Sequence, residues 1–262
     1  MTTKKSMIGV FGDSYADINP VQYIDKSLDR MPWPLWLQKI SDMPVESHAL
    51  SATSTWFSYK KFLDNYKKYD SVVFCYSDLH RWQNINEPSG ISLGLYHIRY
   101  AEQLKHVRKE HKDIANTLVE AYKLLHDWDL DKFIFQSIFE SVNKLCDASG
   151  IKLINIFNFE EINDNPLNID ITTVSNTVLT NLVQVSGNEY MNFPNIPKDP
   201  DIYKFITENM DKRFCHLSPQ NNRTLADIVY NCMQSSPTYI NLGKDKRFSD
   251  DVETLRYLLD LE

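Results

Sequence analysis

Short apolar runs alternate with stretches of helical periodicity along the chain. The runs Met7–Phe11, Val72–Tyr76 and Ile151–Phe157 are mostly apolar, which is typical of strands buried on both faces of a parallel sheet. A further strand is predicted at about Val45–Leu50. Because helical stretches separate these strands, the pattern predicts an α/β fold built on a parallel sheet.

Six helices are predicted, and their ends carry recognisable signals. Asp127, Asp129 and Asp131 mark the start of the fourth helix as capping residues, because the remaining ligands and the glycine of a calcium loop are missing. Ser218 is the expected N-cap of the fifth helix. The second helix carries Trp56, Tyr59, Leu63 and Tyr66 on one face. The predicted helices span about Pro34–Ser41, Ser54–Tyr69, Ala101–His126, Leu130–Ala148, Pro219–Met233 and Ser249–Leu259.

The chain is predicted to form one α/β domain over residues 1–262, with two insertions. The first, at about 80–130, is helical and is either an arm that covers a site or contacts a partner, or a hairpin packed on the core. The second, at about 160–200, is rich in Asn, Asp and Pro and is predicted to be a loop. A C-terminal helix is expected at about 249–260.

Composition and charge argue against some classes of function. Twenty-eight basic residues against 35 acidic ones give a net charge of −7, which argues against a dedicated nucleic-acid binder. No signal peptide or membrane span is predicted, so a cytoplasmic protein is expected, and a virion-associated protein or one in a host-cell cytoplasm would look the same. The four cysteines lack Cys-x-x-Cys spacing and are predicted to be reduced. No metal or organic cofactor is expected.

Candidate chemistry lies where the predicted strands end. Gly12, Asp13 and Ser14 follow the first strand, and Ser77 and Asp78 follow the third. If the strand order begins 2-1-3, as in flavodoxin-like sheets, the loops after the first three strands lie side by side. His216, in the loop before the fifth helix, would then supply a base for a hydroxyl nucleophile, which are the parts that acyl transfer requires. No Gly-x-Ser-x-Gly elbow of an α/β-hydrolase occurs in the chain.

These blocks resemble those of the SGNH (GDSL) hydrolase superfamily, whose members are serine esterases, lipases and carbohydrate O-acetyl esterases. The resemblance covers about 7–233 and rests on Phe-Gly-Asp-Ser at 11–14, Ala-Leu-Ser-Ala-Thr-Ser-Thr at 49–55, Cys-Tyr-Ser-Asp at 75–78 and His-Leu-Ser-Pro at 216–219. It implies a three-layer α/β/α flavodoxin-like sheet of the SGNH type. It also implies Ser14 as the nucleophile and His216 as the base.

The chain departs from the superfamily at three supporting positions. The oxyanion glycine of the second block is Ala52, and Ser77 stands where the third block has its oxyanion asparagine. The aspartate expected three residues before the histidine is Arg213, so Asp211 is the nearest acid that could orient His216. A backbone carbonyl in place of Asp211, or a Ser–His dyad, are alternatives.

The sequence thus predicts a hydrolase of carboxylic esters, with a small-molecule or carbohydrate ester as substrate. The oxyanion would be held by the N–H groups of Ser14 and Ala52 together with Ser77. The competing prediction is a catalytically degenerate interaction module that acts through its insertions. The expected substrate-binding residues are Asp13, Tyr15, Asp78 and Arg81, although for Arg81 a surface salt bridge is equally compatible with the sequence.

Overall fold

The computed structural model describes residues 6–18, 31–51, 53–77, 81, 117, 120–157, 175–182, 217 and 219–248. Within this part of the chain, six strands form one sheet in the order β2-β1-β3-β4-β5-β6, and every neighbouring pair is parallel. The order 2-1-3-4-5 is that of flavodoxin-like folds, so the predicted fold class is confirmed. The strands are β1 Ile8–Phe11, β2 Val45–Ser47, β3 Ser71–Tyr76, β4 Lys152–Phe157, β5 Thr177–Thr180 and β6 Tyr239–Asn241.

Helices cover both faces of the sheet. They are α1 Trp33–Ser41, α2 Thr55–Asn65, α3 Trp128–Ser149 and α4 Pro219–Ser235; residues 120–125 are also helical, and 3-10 turns span Tyr66–Lys68 and Leu242–Lys244.

The helix ends follow the signals in the sequence. Ser54 accepts a hydrogen bond from the Phe57 amide at the start of α2. The Asp127 carboxylate accepts from the first amides of α3, so its predicted capping role is confirmed. Asp129 and Asp131 lie in the first turn of α3, and Asp131 also binds His126 Nε2 at 2.7 Å. Gly150 ends α3 with φ of 66°, which favours glycine.

Alternate side chains of the central strands enter two separate hydrophobic layers. Val10, Val73 and Cys75 pack with α1 and α4 on one face of the sheet. Phe11 and Phe74 pack with α2 and α3 on the other. Because side chains alternate between the two faces of the sheet, each face carries an apolar layer against which helices pack. The result is the three-layer α/β/α arrangement that the sequence indicated.

Two features of the sequence prediction are corrected. The apolar face assigned to α2 is only partly buried: Trp56 is 48% exposed and Leu63 is 42% exposed. The side facing the core carries Ser58, Phe62 and Tyr66. In addition, β5 lies inside the segment predicted as a loop, and β6 is a strand that the sequence pattern did not predict. Both strands are only three or four residues long, too short for a clear alternation of apolar and polar residues.

Several predictions fall outside the described residues. These are the helix at 249–260, most of the helix at 101–126 and most of both insertions, so the division of the chain into one domain with insertions stays a prediction. The three cysteines that the structure describes (75, 146 and 232) are free and buried. None of the described helices is both long and apolar enough to cross a membrane.

Candidate active site

A tight turn follows β1 and carries the predicted nucleophile. The Ala16 amide donates to the Asp13 carbonyl at 3.0 Å, and the Tyr15 amide donates to Asp13 Oδ1 at 3.1 Å. Asp13 therefore closes the turn with both its backbone and its side chain, as aspartate commonly does in turns. Asp13 is 1% exposed, whereas Ser14 is half-buried and reaches the surface at the carboxyl edge of the sheet.

Gly12 lets β1 approach β3 closely just before this turn. A Cβ atom at position 12 would lie 2.7 Å from the Cβ of Cys75 and 3.2 Å from the Cβ of Ala16. Real side chains do not approach so closely, so the site needs glycine at this position. Packing alone therefore requires the glycine of the first block, in addition to any role of this block in the proposed chemistry.

The chain after β2 runs alongside the end of β1. The amides of His48 and Leu50 donate to the carbonyls of Val10 and Gly12 at 2.8 and 3.2 Å, which continues the ladder beyond the strand. Asp17 Oδ2 then accepts from the Ser51 amide at 3.0 Å. The loops of the first and second blocks are therefore held together, as the 2-1-3 order predicted.

A buried cluster joins the ends of β1, β2 and β3, and we call it the Asp13 cluster (Asp13, Thr53, Ser77 and Arg81). Ser77 Oγ lies 2.8 Å from Asp13 Oδ2 and 3.2 Å from the Thr53 carbonyl oxygen. Arg81 Nη1 lies 3.2 Å from the same carboxylate oxygen and 3.1 Å from the same carbonyl oxygen. Two donors that follow β3 thus share two acceptors from the first and second blocks.

The Asp13 cluster is secluded from solvent. Thr53 and Ser77 are fully buried, and the Arg81 side chain is 18% exposed. Thr55 Oγ1 donates to the Ser77 carbonyl at 3.1 Å, which fixes the backbone at the end of β3. Burial raises the pKa of the neighbouring Cys75 thiol well above its usual range, and the negative charge of Asp13 raises it further. Cys75 is therefore held as a neutral thiol.

Helix α1 links the nucleophile turn to the start of α4. Trp33 Nε1 donates to the Tyr15 carbonyl at 2.7 Å. The Trp33 amide donates to Asn222 Oδ1 at 2.9 Å, and Asn222 Nδ2 donates to the Leu217 carbonyl at 3.0 Å. Leu217 is buried and immediately follows His216 in the sequence. This chain of three hydrogen bonds connects the first block with the fourth.

The structure brings together five of the predicted site residues, namely Ser14, Asp13, Tyr15, Ser77 and Arg81. His216, Asp211, Ala52 and Asp78 lie outside the described residues. Arg81 does form a salt bridge, one of its two predicted alternatives, but its partner carboxylate is buried and not at the surface. Sequence reasoning missed Thr53, which acts through its backbone carbonyl and so leaves no trace in its side-chain type.

Within the described residues, no group of three or more His, Cys, Asp and Glu side chains could hold a metal ion. The arrangement that is described offers a hydroxyl in a tight turn, a buried carboxylate in the preceding residue and an arginine that pairs with that carboxylate.

Comparisons with known proteins give a likeness to solved structures alone. No protein-family model matches the chain. No curated protein sequence matches it either.

Three of these solved structures show how far the likeness extends. The chain shares 12% identity with a G-D-S-L family protein from Desulfitobacterium hafniense DCB-2 assigned as lipolytic, at a TM-score of 0.39 over 69% of this chain and 79% of that one. It shares 13% identity with TesA, at a TM-score of 0.45 over 87% of this chain and 98% of that one. It shares 9% identity with the psychrotrophic esterase EstA from Pseudoalteromonas sp., at a TM-score of 0.43 over 88% and 98%.

The sheet order gives this chain the flavodoxin-like parallel α/β fold that its sequence indicated, with the Gly-Asp-Ser turn at the end of β1.

Proposed function

We propose that this protein is a serine-dependent hydrolase of carboxylic esters, with Ser14 as its nucleophile. The observation that carries the proposal is the position of Ser14. It is half-buried in a tight turn at the carboxyl end of β1, beside the loops after β2 and β3. Ligands of open α/β sheets bind in the crevice beyond the carboxyl ends of the strands. A hydroxyl at that crevice is where an acyl group would be transferred.

In the proposed reaction, Ser14 Oγ attacks the ester carbonyl carbon while His216 Nε2 takes the hydroxyl proton. The tetrahedral intermediate then collapses, and His216 returns the proton to the departing alcohol. Water attacks the acyl-serine in the same way and releases the acid. Asp211 is the proposed acceptor for His216 Nδ1–H, which sets the orientation of the ring.

The oxyanion would be held by backbone amides in this proposal. The N–H groups of Ser14 and Ala52 are its donors, as the resemblance to the superfamily implies. Ser77 was predicted as a third donor. Its hydroxyl has one proton, and Asp13 and the Thr53 carbonyl already face it. Ser77 could therefore donate to an oxyanion only by giving up these buried contacts, and we assign it a smaller share than the amides.

The contacts of the Ser77 hydroxyl with Asp13 and Thr53 favour one competing function. If two backbone amides do not suffice without the third donor, the fold would act as a binding module without turnover. Loss of one oxyanion donor typically lowers the rate about 10²–10³-fold. A binding module would show no turnover, whereas a hydrolase with two donors would show slow turnover that depends on Ser14.

The experiment compares the purified protein with its Ser14→Ala variant on 4-nitrophenyl acetate and on a fluorophosphonate probe. We expect ester hydrolysis and covalent labelling by the wild-type protein, and neither by Ser14→Ala. Ser137→Ala is the matched control, because Ser137 is an exposed serine of α3 whose hydroxyl donates to the Phe133 carbonyl. It should hydrolyse and label like the wild type.

Two results would reject the proposal. One is a folded wild-type protein that neither hydrolyses the ester nor reacts with the probe, which would favour the binding module. The other is hydrolysis that persists in Ser14→Ala. Release of acetate from an O-acetylated sugar, measured beside 4-nitrophenyl acetate, tests the carbohydrate ester as the preferred substrate.

A further inference from the structure

A buried carboxylate immediately precedes the proposed nucleophile in the chain. Asp13 precedes Ser14 in the turn and is 1% exposed. Ester hydrolysis by Ser14 builds negative charge on the substrate oxygen in the transition state. A carboxylate with no counter-charge at this depth would oppose that charge, because water screens little of its field. The proposed reaction therefore depends on what balances Asp13.

Arg81 provides the balancing charge. Its guanidinium Nη1 lies 3.2 Å from Asp13 Oδ2, and the two side chains are 18% and 2% exposed. The other donors that the structure gives this carboxylate, the Tyr15 amide and the Ser77 hydroxyl, are neutral. Buried charges are tolerated when they are paired and hydrogen-bonded, and the Asp13 carboxylate meets both conditions.

Arg81 also joins two loops. The nitrogen that binds Asp13 lies 3.1 Å from the Thr53 carbonyl, next to Ala52 in the sequence. The guanidinium thus bridges the turn that carries Ser14 and the loop that carries the proposed second oxyanion donor.

We propose that Arg81 is a positioning residue that neutralises Asp13 and thereby keeps Ser14 reactive. The inference rests on the proposed function. It replaces the sequence expectation that Arg81 binds an anionic or polar group of the substrate directly.

The test measures the second-order rate constant for labelling of Ser14 by an uncharged fluorophosphonate. A neutral probe is required because a residue that only anchors an anionic substrate would not affect it. The variants are Arg81→Met, Arg81→Lys and the double variant Asp13→Asn/Arg81→Met. Urea unfolding of each variant shows that it is folded under the labelling conditions. Arg247→Met is the matched control, since Arg247 forms a pair with Asp245 and is half-exposed.

We expect Arg81→Met to slow labelling about 10²-fold, the size of an unbalanced charge at short range. Arg81→Lys should slow labelling less, because lysine keeps the positive charge. The double variant should be labelled about tenfold faster than Arg81→Met, because the neutral amide at position 13 needs no counter-charge. Arg247→Met should label at the wild-type rate.

Each alternative gives a distinct result. If Arg81→Met labels as fast as the wild type, the inference is wrong and direct binding of an anionic substrate is favoured. If the double variant is no faster than Arg81→Met, Arg81 acts as a structural clamp and not by charge balance, which also rejects the inference. A wild-type protein that does not label at all rejects the proposed function itself, and the inference with it.

Discussion

Trp33 Nε1 donates a hydrogen bond of 2.7 Å to the backbone carbonyl of Tyr15, the residue after the proposed nucleophile. Trp33 is fully buried and is the first residue of α1. The bond therefore anchors the turn of the first block to a helix that packs against the sheet and against α4. A turn that is fixed in this way keeps its geometry without help from a substrate.

Trp33→Phe should destabilise the protein by about 1–3 kcal/mol, because the partly buried Tyr15 carbonyl loses its donor. Trp36→Phe is the control from the same helix. The indole N–H of Trp36 is buried and has no hydrogen-bond partner among the described residues, so this variant loses packing but no hydrogen bond and should be destabilised less than Trp33→Phe. Urea unfolding measures both variants, and equal losses of stability would contradict the assigned role of the Trp33 bond.

Asn222→Ala should weaken the connection between the first and fourth blocks. It removes the acceptor of the Trp33 amide and the donor to the Leu217 carbonyl, beside His216. If Asn222 positions the loop of the proposed base, fluorophosphonate labelling of Ser14 should fall about 10- to 100-fold, the effect of a small misplacement of a catalytic group. Gln220→Ala, at an exposed position of α4, should label normally. A stability loss in Asn222→Ala with unchanged labelling would limit Asn222 to a structural role.

Gly12→Ala should destabilise the protein by about 1–3 kcal/mol, because its Cβ would overlap the Cβ of Cys75 at 2.7 Å. Gly150→Ala is the matched control: position 150 has open space but φ of +66°, so the cost of about 1–2 kcal/mol is one of backbone conformation alone. Urea unfolding measures both losses, and labelling of Ser14 separates the two variants. Only Gly12→Ala should slow labelling, because only this position adjoins the nucleophile turn.

His48 should make stability fall on acidification. Its ring stacks on Phe11 at 5.0 Å, and burial lowers its pKa below the ordinary value of 6.5, with smaller contributions from Lys68 and Lys61 and an opposing one from Glu46. Below pH 6.5 the unfolded chain binds a proton at this histidine more readily than the folded protein, so the free energy of unfolding decreases as the pH falls through that range.

The measurement is urea unfolding of the wild type and of His48→Phe between pH 5 and pH 7, where histidines ordinarily titrate. Phenylalanine keeps an aromatic ring against Phe11 but does not titrate. The stability advantage of the wild type should therefore shrink toward the acidic end. Curves that stay parallel over the range would show that His48 does not contribute to the acid sensitivity.

The sequence was sufficient for the elements that carry strong local signals. The apolar runs of β1, β3 and β4 and the cap Asp127 are all found where the pattern predicted them. The strand β5 was missed because it is only four residues long and lies within a segment otherwise rich in Asn, Asp and Pro. Pairing with β4 makes it a strand, and that information is not local.

The site was predictable in its residues but not in its contacts. Apolar counting along α2 favoured Trp56 and Leu63, whereas tertiary packing buries Ser58 and Phe62. Similarly, nothing in the spacing of Ser77 and Arg81 indicates that both bind the same carboxylate oxygen of Asp13. Such convergence depends on how three loops fold back on one another, which sequence periodicity does not encode.

The shared acceptors of the Asp13 cluster have a consequence for engineering this site. Replacing Ser77 with the asparagine that the superfamily carries would place a larger amide in a fully buried space and remove the hydroxyl that binds Asp13. The carboxylate would then rely on Arg81 and the Tyr15 amide. Positions 13, 77 and 81 should therefore be redesigned together. A library that varies all three at once should yield more folded, reactive proteins than libraries that vary each position alone.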